Sequence, residues 1–396
     1  MSQESNGSTA ALPRQVNRFL LTALPLMIGL HLFIGWRLLP DLDLNVAGWT
    51  ASVAFLCVSS LMIPLGMAAR FIVRSTELAD RVHWLGTLLM GLFSSLLVLT
   101  LLRDIALLLT PTGWRHGLTL AVLGLTSFVT LVGYVNARRI PRVAHVAVPI
   151  AGLPEPLHGF TIAQITDLHV GPTIKQSYVA GVVARLNSLG PDLVAVTGDL
   201  VDGDVEVLRL HIEPLSNMRA RHGVFAVTGN HEYYSGVAQW VPEFERLGMR
   251  VLMNEHAVVE HGGAALVVAG VTDFSAGKFD AAQTSDPARA LSGAPGGLVP
   301  AILLAHQPRS AQAAEEVGFH LQLSGHTHGG QFWPWNLFVP LQQPFTAGLH
   351  RLGRLWIYTS RGTGYWGPPL RFGAPSEITL LRLERASGVM TAGVAS

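Results

Sequence analysis

Asp167, His169, Asp199, Asn230, His306, His326 and His328 fall in five short stretches of this sequence. They are Asp167-Leu168-His169, Gly198-Asp199, Gly229-Asn230-His231-Glu232, Leu304-Ala305-His306-Gln307-Pro308 and Ser324-Gly325-His326-Thr327-His328-Gly329-Gly330. These residue types are donors to divalent cations. A phosphoester resists hydrolysis because water is a poor nucleophile and the transition state gathers negative charge. Two cations about 3.5–4 Å apart answer both difficulties. Such a pair needs one carboxylate that bridges, with neutral nitrogen and oxygen donors that leave positions open. Asp199 suits the bridge, since the preceding glycine lets the backbone turn sharply. Asp167 and His169 are i, i+2 at a strand end, so in extended backbone they project to the same side and chelate one ion. Asn230, His306, His326 and His328 complete a mixed set suited to Mn, Fe or Zn. Each stretch alone is a weak signal; all of them, in this order, are a strong one.

The elements that must position these residues are legible around them. Phe160–Thr166 reads as a strand ending at Asp167, Leu193–Thr197 as a buried strand ending at Gly198-Asp199, and Val224–Thr228 as one ending at Gly229-Asn230. Helical patterns occupy Ser177–Leu189 and Val205–Met218. Further strands are expected at Ala265–Val271, Ala301–Leu304, Leu321–Leu323, Leu355–Thr359 and Ile378–Leu383. Alternation of short apolar runs with helical ones indicates an α/β domain. In such sheets ligands gather at the carboxyl ends of the strands, where all of these stretches lie. Ala281–Pro300 reads as a surface loop and Ala386–Ser396 as a tail.

The set resembles the calcineurin-like metallophosphoesterase superfamily over roughly Phe160 to Leu383. Asp-x-His, Gly-Asp, Gly-Asn-His-Glu, a lone His and Gly-His-x-His occur in the family's order. Ser360-Arg361-Gly362-Thr363-Gly364, Pro368-Pro369-Leu370-Arg371-Phe372 and Pro375-Ser376-Glu377-Ile378 look like the C-terminal signature of its bacterial membrane-associated branch. The resemblance implies a two-sheet αββα sandwich and two divalent metal ions. It implies Asp167, His169, Asp199 and His328 on one ion, and Asp199, Asn230, His306 and His326 on the other. His231 matches the family histidine that contacts the phosphate and protonates the leaving oxygen. No ligand position departs from the pattern.

Other residues carry weaker readings. Asp202 is either an orienter behind the ligands or a turn residue, and Glu232 is read as a supporting carboxylate. His211, His222, His256, His261 and His320 match no motif and are read as surface or structural. Arg361 is a candidate for bidentate binding of substrate phosphate, the alternative being an ion pair on the rim.

Composition explains what precedes this domain. Charged residues are only 13% and hydrophobic ones 49%, while charge is nearly balanced at +1. A nucleic-acid footprint is therefore not expected. The apolar excess lies in Phe19–Trp36, Ala47–Ala69, Val82–Leu102 and Gly117–Val135, each long enough or nearly so to span a bilayer. The expected plan is a tail over 1–18, a transmembrane region of four helices over 19–139, a catalytic domain over 146–385 and a tail over 386–396. Arg14, Arg18, Arg70, Arg74, Arg81, Arg138, Arg139 and Arg142 lie on the N-terminal side of the spans, against Arg37, Arg103 and Arg115 opposite. That bias places the catalytic domain in the cytoplasm of a multi-pass inner-membrane protein. Cys57 is the only cysteine and offers no disulfide.

The expected partners are the bilayer and a membrane lipid or lipid-linked phosphate; oligomeric state is not legible. Competing functions are hydrolysis of a soluble nucleotide or phosphoprotein, and a membrane sensor or transporter regulated by the phosphoesterase domain. The latter is disfavoured because the span interiors lack Asp, Glu and Lys. Phe332–Leu341, just after the ligand His328, reads as a core hairpin, an apolar lip on the site or an element touching lipid.

Overall fold

The protein is described by a computed structural model covering residues 14–296 and 299–386. Most of both expected tails lies outside the described residues. The chain forms two compact units, residues 1–132 with 367–369, and residues 133–366 with 370–396.

The first unit is built from four helices, α1 (Arg14–Leu38), α2 (Val46–Ile72), α3 (Thr76–Leu107) and α4 (Arg115–Arg138), whose last residues belong to the second unit. All four are long and apolar enough to cross a membrane. Many large Leu, Phe, Val and Ile side chains are exposed along them, which suits helices solvated by lipid tails. Tails of lipid are as apolar as leucine, so helix association there rests on close packing of small residues. Helices α2 and α3 meet in this way: a Cβ on Gly66 would lie 2.7 Å from the Gly86 Cα. Asn45 caps α2 by accepting from the Gly48 N–H at 2.9 Å. Arg37 and Arg103 both pair with Asp104, at 2.7 and 3.0 Å, where α1 and α3 end. The carboxylate thus lies at a helix end, where its desolvation is offset by two guanidinium groups.

The second unit is an α/β sandwich. Its first sheet contains β1 (Arg142–Ile150), β2 (Thr161–Ile165), β3 (Leu193–Thr197), β4 (Val224–Val227) and β5 (Met249–Val251). Its second contains β6 (Glu255–His261), β7 (Ala264–Gly270), β8 (Ala301–Leu304), β9 (Leu321–Ser324), β10 (Gly348–Leu352) and β11 (Leu355–Thr359). Strand β12 (Glu377–Arg385) returns to the first sheet, giving orders β1-β12-β2-β3-β4-β5 and β10-β11-β9-β8-β7-β6. Strands β2 to β5 are parallel, as are β7, β8, β9 and β11.

Alternation along each strand divides its side chains between two cores. Ile162, Leu193, Ala195 and Phe225 meet Leu266, Val268, Ile302, Leu304, Leu321 and Leu323 between the sheets. Their neighbours Ala163, Val194, Val196 and Ala226 face outward beneath α5 (Gln176–Asn187), α6 (Val205–Ile212) and α8 (Val237–Arg246), with Trp240 and Phe244 of α8 fully buried, and the short α7 (Asn230–Tyr234) precedes α8. Helices α9 (Pro287–Leu291) and α10 (Ala311–Val317) contribute Ala290, Ala311 and Ala314 to the core outside the second sheet.

Several sequence expectations change here. The helix read over Val205–Met218 ends at Ile212 and continues as a 3-10 segment over Glu213–Asn217, since Pro214 cannot supply a helical N–H. The loop read over Ala281–Pro300 contains α9, capped by the Asp286 side chain on the Arg289 N–H at 2.9 Å. Strand β1 starts at Arg142 and pairs with β12 throughout, so the second unit begins before Val146. The hairpin reading of Phe332–Leu341 is overturned. Trp335–Leu337 and Val339–Leu341 are single 3-10 turns, and Trp335, Leu337, Phe338 and Leu341 are exposed, the last by 82%.

Candidate metal centre

The strand ends of both sheets converge on one cluster. Asp167, Asp199, His306 and His326 each stand two residues beyond the ends of β2, β3, β8 and β9, and Asn230 opens α7 after β4. Buried Gln164 ties the sheets together there, donating to the Thr197 hydroxyl (2.8 Å) and the Ser324 carbonyl (3.0 Å). Asp167, His169, Asp199, His326 and His328 all have φ between +50° and +71°. Non-glycine residues seldom adopt this region, and those that do concentrate at functional sites. The strain is held by neighbouring ligand loops: the Asp167 N–H donates to the Gly198 carbonyl (3.0 Å) and the His169 N–H to that of Asp199 (3.1 Å). Gly198, at φ +88°, makes the turn that carries Asp199.

Six of the seven candidate ligands are brought together, and the seventh, Asn230, lies beside His231, whose backbone N–H bonds Asp199. Ligand atoms of Asp167, His169 and His328 lie within 4.8 Å of one another, as do those of Asp199, His306 and His326. Asp199 also groups with His169 and His231. The Asp199 Oδ2 is 3.1 Å from His306 Nε2 and 4.0 Å from His169 Nε2, so one carboxylate faces both halves of the cluster. His306 Nδ1 faces the Thr197 carbonyl at 2.8 Å. A carbonyl only accepts, so Nδ1 carries a proton and Nε2 points inward at Asp199. Burial disfavours the imidazolium, yet the Asp199 and Asp167 carboxylates raise the His306 pKa well above its ordinary value, and a cation held at Nε2 would displace the second proton. His169 is set the same way by the Asp202 carboxylate, 3.2 Å from its Nδ1.

The donor set fits divalent cations. The buried Asn230 Oδ1 has no hydrogen-bond partner. A buried acceptor left unpaired costs about 1–3 kcal/mol, and a cation at this position satisfies it. Burial, reinforced by the charge of His306, pushes the His326 imidazole down to about 3. Burial and the nearby Arg371 charge hold His328 well below its ordinary value. Both rings are therefore neutral, the form that binds metal. Burial opposes ionisation of Asp199, but the charges of His306, His231 and His169 outweigh it and keep the group a carboxylate.

His231 stands at the edge of the cluster, with Nε2 3.9 Å from Asp199 Oδ2 and its backbone N–H on Asp199 Oδ1 at 2.9 Å. Its Nδ1 makes a short hydrogen bond with Asp202 Oδ1. Burial disfavours the imidazolium, yet this bond and the charges of Asp199 and Asp202 raise the pKa to about 9. Asp202 is thus the orienter of two histidines. Glu232 accepts three backbone N–H groups, from Gly229 (2.7 Å), Asp199 (2.9 Å) and Leu200 (2.7 Å), which fixes two ligand loops on one carboxylate. Arg361 donates to Glu377 Oε2 at 3.1 Å, with its side chain 37% exposed.

Arg371 is a supporting residue that sequence reasoning did not single out. It is fully buried and donates to the carbonyls of His328 (2.9 Å), Arg361 (2.7 Å), Ala374 (3.3 Å) and Gly364 (3.1 Å), with Nη2 3.0 Å from His328 Nδ1. Of the five histidines read as surface or structural, three make contacts away from the cluster. His222 and His261 bond to each other at 2.9 Å, and His256 meets the Ala290 carbonyl at 2.9 Å.

Comparison with known proteins adds to this geometry. The family model described as calcineurin-like phosphoesterase matches residues 160–330. A "Transmembrane protein with metallophosphoesterase domain" of Danio rerio is 38% identical over 276 residues, 68% of this chain and 63% of that protein. An uncharacterized metallophosphoesterase of Campylobacter jejuni is 34% identical over 67% of this chain and 69% of its own length. One of Aquifex aeolicus is 32% identical over 56% of this chain and 84% of its own. The chain spans less than two thirds of the length of the vertebrate relatives, 63% and 61% in the Danio rerio and Bos taurus proteins.

Proposed function

We propose that this chain, which belongs to the calcineurin-like phosphoesterase family, is a membrane-anchored hydrolase of a phosphoester or pyrophosphate borne by a lipid. The observation that carries the hydrolase reading is the cluster itself. Asp167, His169 and His328 form one group of nitrogen and carboxylate donors, Asp199, His306 and His326 form another, Asp199 Oδ2 lies 4.0 Å from His169 Nε2, and His231 stands beside them. Two bound divalent ions would acidify a water and neutralise phosphoryl oxygens. The protein's own residues do the rest. Asp199 faces both ion positions, Glu232 holds its loop, and Asp202 aims His231 so that Nε2–H meets the leaving oxygen.

The charge of His231 predicts a pH dependence. A donor with a pKa of about 9 is protonated below that value and deprotonated above it. Turnover should therefore fall on the alkaline side, where His231 gives up its proton. Asp202→Asn removes the anion that stabilises the imidazolium, so this limb should move to lower pH. A limb unmoved by the substitution, measured with substrate saturating at each pH, would assign it to another group.

Support for a lipid-borne substrate comes from what adjoins the ligands. Four apolar helices and the names of its relatives make this a membrane protein. Residues 139–141 alone join α4 to β1, a reach of about 13 Å. The exposed Leu337, Phe338 and Leu341 follow the ligand His328 directly. The folded lip sits tightly on the ligand loop, since the Asn336 backbone leaves no room for a Cβ on Gly330. We assign these side chains to the acyl or prenyl part of the substrate. Leu337→Ser with Leu341→Ser should lower turnover of a vesicle-embedded phosphoester by roughly ten-fold relative to a soluble one, as loss of apolar contact predicts. An unchanged ratio would leave the helices a tether and favour a soluble substrate.

The eight-to-three arginine bias supports a cytoplasmic catalytic unit. A reporter active only in the cytoplasm, fused after Ala386, should be active. Activity of an exported-phosphatase reporter at that position would reverse the orientation.

A further inference from the structure

Beside His231 stand two aromatic rings, with a third against one of them, whose presence the metal chemistry does not require. The Tyr234 ring lies 5.3 Å from the His231 imidazole at 67°, and the Trp366 indole 5.8 Å away at 76°. Phe279 lies 5.7 Å from Tyr234. All three are more than half exposed. Large aromatic surface left together in water commonly marks a place where something binds.

These rings are mounted on the elements that hold the site. Tyr234 ends α7, the helix opened by the ligand Asn230 and clamped through Glu232. Trp366 is held by the buried Gln331, whose carboxamide donates to its carbonyl and accepts from its N–H, both at 2.9 Å. Gln331 itself follows the ligand loop directly and has φ +57°. Phe279 packs 5.5 Å from Tyr233, whose hydroxyl donates to Gln283 at 2.8 Å. A platform fixed by neighbouring hydrogen bonds binds without first paying to order itself.

We propose that Tyr234 and Trp366 are specificity-determining residues that receive a flat, unsaturated ring carried by the leaving group. This rests on the phosphoesterase reading and adds the chemistry of the departing side. Position argues for it: the rings surround the histidine that hands its proton to the leaving oxygen. Composition argues for it too. The lip after His328 supplies Leu337 and Leu341 for a flexible chain, whereas this wall is aromatic and offers faces and edges to another ring. The bond cut then joins a lipid-side phosphate to a ring-bearing group.

The test uses full-length protein in detergent with Mn²⁺ and two soluble diesters, methyl 2-phenylethyl phosphate and methyl butyl phosphate. Their leaving alcohols are of similar basicity, so the ring is the main difference. The wild type should favour the phenylethyl ester in kcat/KM by about 2- to 10-fold per ring engaged. Trp366→Ala and Tyr234→Ala should each erode that preference mainly through KM for the phenylethyl ester, and Trp366→Phe and Tyr234→Phe should restore most of it. Equal kcat/KM for the two esters, or a preference that survives both alanine substitutions, overturns the proposal. So does an equal loss on both esters, which marks mere support of the fold. A loss confined to vesicle binding overturns it as well, by assigning the rings to the membrane surface. Hydrolysis of neither ester by the metal-loaded wild type defeats the phosphoesterase reading itself, whereas hydrolysis without ring preference defeats only this one.

Discussion

Asp199→Asn should leave the protein folded, strip it of metal and lower turnover by orders of magnitude. The substitution is nearly isosteric, and the backbone bonds that place the loop, from the Asp199 and Leu200 N–H groups to Glu232, do not involve the altered atoms. What changes is charge and donor sense. Asp199 Oδ1 accepts the His231 N–H at 2.9 Å, so the asparagine oxygen takes that position and its NH2 turns toward His306 and His169. An N–H dipole aimed at both ion positions repels cations where the carboxylate attracted them. Removing a group merely behind a metal ligand costs about 10–100-fold in affinity or activity, and loss of a shared ligand should exceed this. Metal analysis of the variant would falsify the bridging role if two full equivalents remained bound.

His231→Ala should behave in the opposite way toward metal. The side chain faces the cluster but is not among the seven residues assigned as ligands, so both equivalents should stay while the rate drops by about 10²–10⁴-fold. Its dependence on substrate is the sharper readout. A proton donor matters most when the leaving oxygen is strongly basic, so an alkyl ester should lose far more activity than a nitrophenyl ester. Since His231 also lies within ligand distance of His169 and Asp199, the variant decides between two roles. Loss of one metal equivalent, with equal loss on both esters, would make His231 a ligand.

How much of this was legible follows from how local each signal is. Strands β3, β8 and β11 have the bounds read from sequence, because each is an unbroken apolar run ended by Gly, Ala or Ser. Strands β1 and β10 escaped notice as edge strands, half-exposed and carrying Arg142, His145, His350 and Arg351 among their apolar residues. A six-stranded sheet needs such edges, but their sequences need not be apolar. Four candidate ligands, Asp167, Asp199, His306 and His326, stood out for the same local reason, each lying two residues beyond a strand. Glu232 and Asp202 stood close enough to ligands to attract attention, and the structure supplied their partners. Arg371, Gln331 and Trp366 were not legible. Their roles arise from contacts between segments far apart in sequence, such as Arg371 with His328, and nothing in local spacing announces them.

We read the strand-end cluster as a metal-dependent phosphoesterase centre. It is tested most directly by following hydrolysis of a chromogenic phosphodiester, a phosphomonoester and a lipid-linked pyrophosphate by purified full-length protein through a cycle of chelation and Mn²⁺ restoration. Hydrolysis of at least one is expected, lost on chelation, regained with Mn²⁺, and absent from Asp199→Asn under both conditions. Folded protein that binds two equivalents of Mn²⁺ and hydrolyses none of the three, or hydrolysis that persists undiminished without metal, would contradict it.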